Sequence, residues 1–247
     1  MTPADARRKL ARVLRALERC FGKRPWKCWG NPVDVLVETI LSQNTSNANS
    51  SAGFARLRKN LGSWDAVARA PVGAVERCIR VSGLSRLKAP RIQAILRRLR
   101  SERGRITLDF LAHMSDEQAQ AYLLSHKGIG AKTAACVLLF SLNKKVFPVD
   151  THIVRIARRL GLVRQGADAD ECQKLLTPLI PPGKRYAMHV LLIEQGRRVC
   201  RARAPRCEWC DLRRECSALT SRRARPHNAP RERSSRARRP GRTIAGG

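Results

Sequence analysis

An all-α fold is predicted by three features of the chain. No stretch of the 247 residues sustains the period-two alternation of a half-buried strand. Apolar residues recur instead at three- and four-residue steps, and Gly, Pro, Asn and Ser punctuate the short helical patterns. With 43% hydrophobic residues the chain can bury a real core, and its length suits one large or two small domains.

Over residues 4–20, Leu10, Val13, Leu14 and Leu17 form one face and Arg and Lys the other, so this is an amphipathic helix. The loop G-K-R-P-W-K-C-W-G-N-P ends it. Trp26 and Trp29 could stack on bases, but two tryptophans in a Pro/Gly loop more often anchor that loop on a core. Asn31-Pro32 pairs a cap with a first-turn proline and starts a largely buried helix over 33–41. The stretch S-Q-N-T-S-N-A-N-S-S that follows is too rich in amides and hydroxyls to continue a core helix. Such side chains suit caps and turns, although Gln43 and Asn44 could equally offer donors and acceptors to base edges.

From Ala52 to Arg103 short helical patterns alternate with breakers, and Ser115-Asp116 opens a further helix over 117–124. Helices near 152–160, 168–179 and 184–197 come next. After Cys216 the chain is rich in Arg, Ser, Pro and Gly and lacks the apolar residues to fold, so 217–247 is expected to be a basic disordered tail.

The net charge of +31, from 50 Lys and Arg against 19 Asp and Glu, exceeds what solubility needs and points to a polyanion, nucleic acid above all. The tail supplies only part of it. Nine Arg and one Glu from Ser217 onward contribute +8, which leaves +23 over residues 1–216. The opening M-T-P-A-D-A-R-R-K-L has no apolar signal core, and no run approaches the roughly 20 apolar residues of a membrane span, so a soluble intracellular protein with no membrane partner is expected. In that setting nine cysteines read as thiols or metal ligands rather than disulfides.

Three motifs carry chemistry. Lys127-Gly128-Ile129-Gly130 allows a sharp turn between two helices and leaves amide N–H groups bare at a helix N-terminus, an anion site fit for a DNA phosphate, with Ile129 plugging the turn onto the core. Lys132 lies in the first turn of the next helix, where the dipole disfavours a cation. A lysine amine can attack a sugar carbon and form a Schiff base, but spacing alone favours a simple phosphate contact. Asp150 precedes T-H-I-V-R-I-A and reads as an N-cap; a carboxylate facing Lys132 could also balance positive charge on a sugar ring as a base departs. His152 has no other ligand or nucleophile beside it and reads as structural.

The third motif is Cys200-x6-Cys207-x2-Cys210-x5-Cys216, four metal ligands whose spacing does not separate zinc from an iron–sulfur cluster. Arg201, Arg203 and Arg206 make this loop electropositive and fit to touch phosphates. Cys20, Cys28, Cys78, Cys136 and Cys172 are scattered and read as ordinary buried thiols.

G-I-G-A-K-T-A, then V-D-T-H, then C-x6-C-x2-C-x5-C, in that order, give the sequence up to Cys216 a specific resemblance to endonuclease III, of the helix-hairpin-helix DNA glycosylase superfamily. The resemblance implies two helical domains: a six-helix barrel with the hairpin over 31–144, and a discontinuous domain of 1–30 and 145–216 that carries a [4Fe–4S] cluster on the four clustered cysteines. It puts Lys132 at the nucleophile position and Asp150 at the partner aspartate position, across an interdomain cleft. Gln43 or Asn44 would fill the space of the flipped base, and Leu84, after Gly83, would wedge the opposite strand. His126-Lys127 stands where better-known members have Leu-Pro, which makes the hairpin more basic, and L-S-R-L-K lacks their polar aromatic.

The implied activity is base excision: a monomeric DNA N-glycosylase and abasic-site lyase that removes oxidised pyrimidines from duplex DNA and nicks the strand by β-elimination. It would act in the cytoplasm at the nucleoid, or in a nucleus or organelle if eukaryotic. A mismatch-specific glycosylase of the same superfamily and a noncatalytic helix-hairpin-helix DNA-binding protein are the alternatives.

Overall fold

The computed structural model describes residues 1–223, which form helices and short 3-10 turns with no β-strand among them. Helix α1 (Pro3–Phe21) starts at a capping box: the Asp5 amide donates to Thr2 Oγ1 at 3.2 Å while the Thr2 amide donates to Asp5 Oδ2 at 3.3 Å. Its buried face is Leu10, Val13, Leu14 and Leu17, as the periodicity requires.

A first core is built from α2 (Pro32–Leu41), α3 (Asn47–Leu61), α4 (Trp64–Arg69), α5 (Val72–Ile79), α6 (Ser85–Arg103), α7 (Asp116–Leu124) and α8 (Ala131–Leu142). Helix α2 packs most extensively on α8, so Leu36, Ile40 and Leu138 reach zero or near-zero exposure. Burying a leucine of this kind contributes on the order of 2 kcal/mol. Asn31 starts α2 as its cap, accepting from the Val33 amide at 2.9 Å.

A second core joins α1 to α9 (Thr151–Leu160), α10 (Ala169–Leu176) and α11 (Arg185–Arg198). The change of core falls between Val146, which packs in the first, and Phe147, which packs in the second. The loop after α1 is strapped across α8. Trp26 Nε1 donates to Leu139 O at 2.8 Å, and Trp29 stacks on Phe140 with ring centroids 4.0 Å apart. Tyr186 of α11 belongs to the first core and accepts from Trp29 Nε1 at 3.0 Å, a further link between the halves.

Three local expectations are revised. The polar stretch after Leu41 is a turn only as far as Ser46, whose hydroxyl accepts from the Asn49 amide; Asn47–Ser51 already belong to α3. The expected tail begins with a helix, α12 (Ser217–Arg223), and 224–247 lie outside the described residues. Of the five scattered cysteines Cys78, Cys136 and Cys172 are buried, but Cys20 and Cys28 are exposed. No described helix is long and apolar enough to cross a membrane.

Candidate active site

Lys132 sits in the first turn of α8, and Cys136 and Phe140 follow it at four-residue steps, which puts all three on one helix face. That face lines a cleft of about 970 Å³. The opposite wall comes from the second core: Asp150 and His152 at the start of α9, and His189, Ile193 and Arg197 along α11. The fold therefore brings Lys132 and Asp150, at the starts of consecutive helices but held by different cores, into one cavity.

Asp150 accepts a 2.9 Å bond from the Ile153 amide at Oδ1, so it is the cap of α9 as well as a wall of the cleft. Both residues are half-buried. His152 lines the cleft too, but its Nδ1 lies 3.0 Å from Arg155 Nη2 and its ring packs on Gly196, as a structural side chain would.

Sequence reasoning missed His189. It is 3% exposed, packed edge-on against Phe140 and Phe147, and its Nδ1 lies 2.8 Å from Pro148 O. A carbonyl only accepts, so Nδ1 carries the proton and Nε2 keeps its lone pair. Burial pushes its pKa down to about 4, with the nearby Asp150 acting against that and Lys132 with it. Cys136 is also buried; desolvation raises its thiol pKa while Lys132 pulls it down. A lone histidine in R-Y-A-M-H-V-L-L-I carries no motif, and only the packing of α11 on α9 shows where it points.

In the hairpin, Ile129 is 5% exposed and plugs the turn, while Lys127 and Gly130 face solvent. Gly128 has φ +90°, so the backbone demands glycine, and the Arg91 side chain fills the space where a β-carbon would stand, with Nε 2.1 Å from that position. Gly130 is the N-cap of α8 with no side chain to cover the first amides. His126, in the lead-in, turns inward at 3% exposure against Tyr122, and its buried Nε2 has no hydrogen-bond partner.

The two candidate insertion turns differ from their neighbours in backbone conformation. Asn44 (φ +54°) and Leu84 (φ +50°) are non-glycine residues in the left-handed region, both with exposed side chains, Leu84 at 49%. Gln43 makes two long contacts: Nε2 donates to Thr133 Oγ1, beside Lys132, and Oε1 accepts from Arg91, both at 3.4 Å.

Cys200, Cys207, Cys210 and Cys216 line one pocket of about 260 Å³. No three His, Cys, Asp or Glu side chains among the described residues are grouped closely enough to hold a single metal ion. Two sulfurs have N–H donors: Gln195 Nε2 to Cys210 and Arg159 Nη1 to Cys200, each at 3.2 Å. Arg201, Arg203 and Arg206 are all exposed around this pocket.

Residues 37–182 match the family described as HhH-GPD superfamily base excision DNA repair protein. An Arabidopsis thaliana protein named as a candidate DNA glycosylase is 41% identical over 165 residues, covering 67% of this chain and 56% of that one. Endonuclease III of Thermotoga maritima is 33% identical over 186 residues, covering 75% of this chain and 83% of its own. The chain spans about half the length of the plant relative and only 10–13% of several larger plant proteins that it also matches. Among solved structures, the protein chain of a non-covalent endonuclease III–DNA complex superposes with a TM-score of 0.75 at 25% identity, over 91% of this chain and 100% of that one. A helical fold in two cores, a glycine hairpin ahead of Lys132 and a family match that spans the cleft lead to one assignment: the chain belongs to the HhH-GPD superfamily of base excision DNA repair proteins, within its endonuclease III family.

Proposed function

We propose that this protein is a bifunctional DNA N-glycosylase and abasic-site lyase acting as a monomer on duplex DNA that contains oxidised pyrimidines. The observation that carries the reading is the meeting of Lys132 and Asp150 in a single cleft large enough for an extruded nucleotide. The similarity to an endonuclease III bound to DNA supports the same orientation of the substrate.

The hairpin amides at Gly128 and Gly130 hold the backbone, and the damaged nucleotide, which stacks and pairs poorly, turns into the cleft at low cost. Lys132 Nζ, as the free amine, attacks C1′ of the sugar. The C1′–N bond breaks and the base leaves with the bonding pair, to be protonated by water. Asp150 faces the positive charge that builds on the sugar and takes up the proton that the amine loses. The sugar ring then opens to a Schiff base on Lys132. Loss of a C2′ proton expels the 3′ phosphate, which completes β-elimination. Gln43 or Asn44, both of which line the cleft, supplies the side chain that fills the space of the extruded nucleotide, and Leu84 wedges the opposite strand.

The four cysteines would hold a [4Fe–4S] cluster. The four cysteines line one pocket and two of their sulfurs accept N–H bonds, an environment that suits thiolate ligands, and the likeness to endonuclease III favours a [4Fe–4S] cluster over zinc. Bound there, the cluster would cross-link the loop that presents Arg201, Arg203 and Arg206.

The test is borohydride reduction in the presence of a panel of lesion duplexes. Wild type should be trapped as a covalent adduct on oxidised-pyrimidine and abasic duplexes, and Lys132→Gln should not. An adduct that persists in the variant, or base release without strand cleavage by wild type, would overturn the lyase assignment; a preference for undamaged mismatched bases would overturn the substrate.

A further inference from the structure

Lys88, in the second turn of α6, is 2% exposed. Its ammonium is shared among three backbone carbonyls: Leu41 O at 2.7 Å, Gln43 O at 2.8 Å and Ser82 O at 2.8 Å. An ammonium has three protons, so every donor is used. These acceptors close two separate helical segments. Leu41 ends α2 and Gln43 continues its last turn, while Ser82 ends the 3-10 turn over Arg80–Ser82. Carbonyls at helix ends have no partner in their own helix and carry partial negative charge, so one buried cation satisfies both ends at once.

What lies just beyond each end gives the arrangement its consequence. Asn44 directly follows Gln43, and Leu84 follows Ser82 by way of Gly83; each is a non-glycine residue held at positive φ with its side chain exposed. Leucine leaves that conformation unless its surroundings over-determine it, whereas asparagine tolerates it at smaller cost. Among the described residues Lys88 is the one side chain bonded to the backbone of both turns. A second contact presses on the same place: Ser82 Oγ donates to Asn49 O at 3.0 Å, and Gly53 of α3 lies so close that a β-carbon would sit 2.0 Å from Ser82 Oγ.

We propose that Lys88 is a positioning residue that fixes the Gln43-Asn44 turn and the Leu84 turn relative to each other, so that the side chains they present enter the duplex as one preset unit around the extruded nucleotide. The inference rests on the reading of those turns as the inserting elements. It assigns Lys88 no contact with DNA. A loose pair of turns would have to be ordered at the moment of insertion, and that cost falls on lesion recognition rather than on general backbone binding.

The experiment uses the full-length chain and an abasic duplex with 2-aminopurine opposite the site, whose fluorescence rises when it is unstacked. Lys88→Met should lose most of that rise and bind abasic duplex at least tenfold more weakly, with affinity for undamaged duplex unchanged within twofold. Lys88→Arg, which keeps the charge but not the three-way geometry, should fall between. It also serves where the methionine chain, with three buried carbonyls left unpaired, does not fold. Leu84→Ala and Asn44→Ala are run alongside. If they lose the fluorescence rise while the Lys88 variants keep it, or if a Lys88 variant weakens undamaged and abasic binding equally, the positioning role is wrong. If Leu84→Ala and Asn44→Ala themselves change nothing, the insertion reading fails and takes this inference with it.

Discussion

The carboxylate of Asp150 accepts a 2.9 Å hydrogen bond from the Ile153 amide through Oδ1 while the same residue lines the cleft that holds Lys132. Cap and charge are therefore separable by substitution. Asparagine caps a helix about as well as aspartate, so Asp150→Asn should leave the denaturation midpoint nearly unchanged; alanine removes the cap and should cost about 1 kcal/mol. Strand cleavage should fall at least a hundredfold in both. A variant Asp150→Asn with near-normal cleavage would reduce Asp150 to a cap.

Gly128 is held to glycine by φ +90°, and the Arg91 side chain occupies the place of a β-carbon. Gly128→Ala should lose on the order of 2 kcal/mol of stability or distort the hairpin enough to weaken DNA binding. Adding Arg91→Ala relieves the clash but not the backbone strain, so the double variant should recover only part of the loss. Full recovery, read from urea midpoints and binding titrations, would mean that φ contributes nothing.

What could be read from the sequence was what local physics writes locally. Asn31-Pro32 and Ser115-Asp116 mark helix starts because capping involves neighbours three residues apart, and Leu10 to Leu17 mark a buried face because helical periodicity does the same. The pairing of Lys132 with Asp150 came from the resemblance that their motifs carry, since spacing alone favours a phosphate contact for Lys132. Lys88 and His189 were not legible. L-K-A-P looks like a solvated helix start, and the three carbonyls that draw Lys88 inward come from segments that meet only in the fold. The exposure of Asn44 at positive φ and the contacts of Gln43 with α6 and α8 likewise arise only in the fold.

His189 should leave a signature in the acid limb of stability. Burial holds its native pKa at about 4, below the roughly 6.5 of an unfolded histidine. Between those values the unfolded chain binds a proton that the native chain does not, so stability is full above pH 6.5 and is lost as pH falls toward 4. From pH 7.5 to pH 5 this group alone should remove on the order of 2 kcal/mol. His189→Gln should flatten that segment of the profile in urea titrations at the two pH values. An unchanged slope would mean that His189 takes up its proton as readily in the native chain as in the unfolded one, so that burial does not shift it.

The cysteine pocket makes a prediction that joins metal content to DNA binding. Anaerobically purified protein should be brown and contain iron with acid-labile sulfide; colourless, zinc-loaded protein would refute the cluster. Arg12 of α1 grips Glu215, next to Cys216, through two bonds of 2.7 and 3.0 Å, and Arg159 of α9 holds Arg201 O and Ala202 O, so the loop stays attached to the second core at both ends. Cys207→Ala should therefore empty the pocket and loosen the middle of the loop rather than unfold the chain. Arg206 adjoins that cysteine and Arg203 lies within the same span, so their phosphate contacts should weaken with it. Each phosphate contact contributes about 0.9 to the slope of log K against log salt concentration. The triple change of Arg201, Arg203 and Arg206 to Ala should lower that slope by up to about 2.7, and Cys207→Ala by a smaller part of the same amount. A slope that responds to the arginines but not to loss of the metal would show that the loop holds its shape through Arg12 and Arg159 alone.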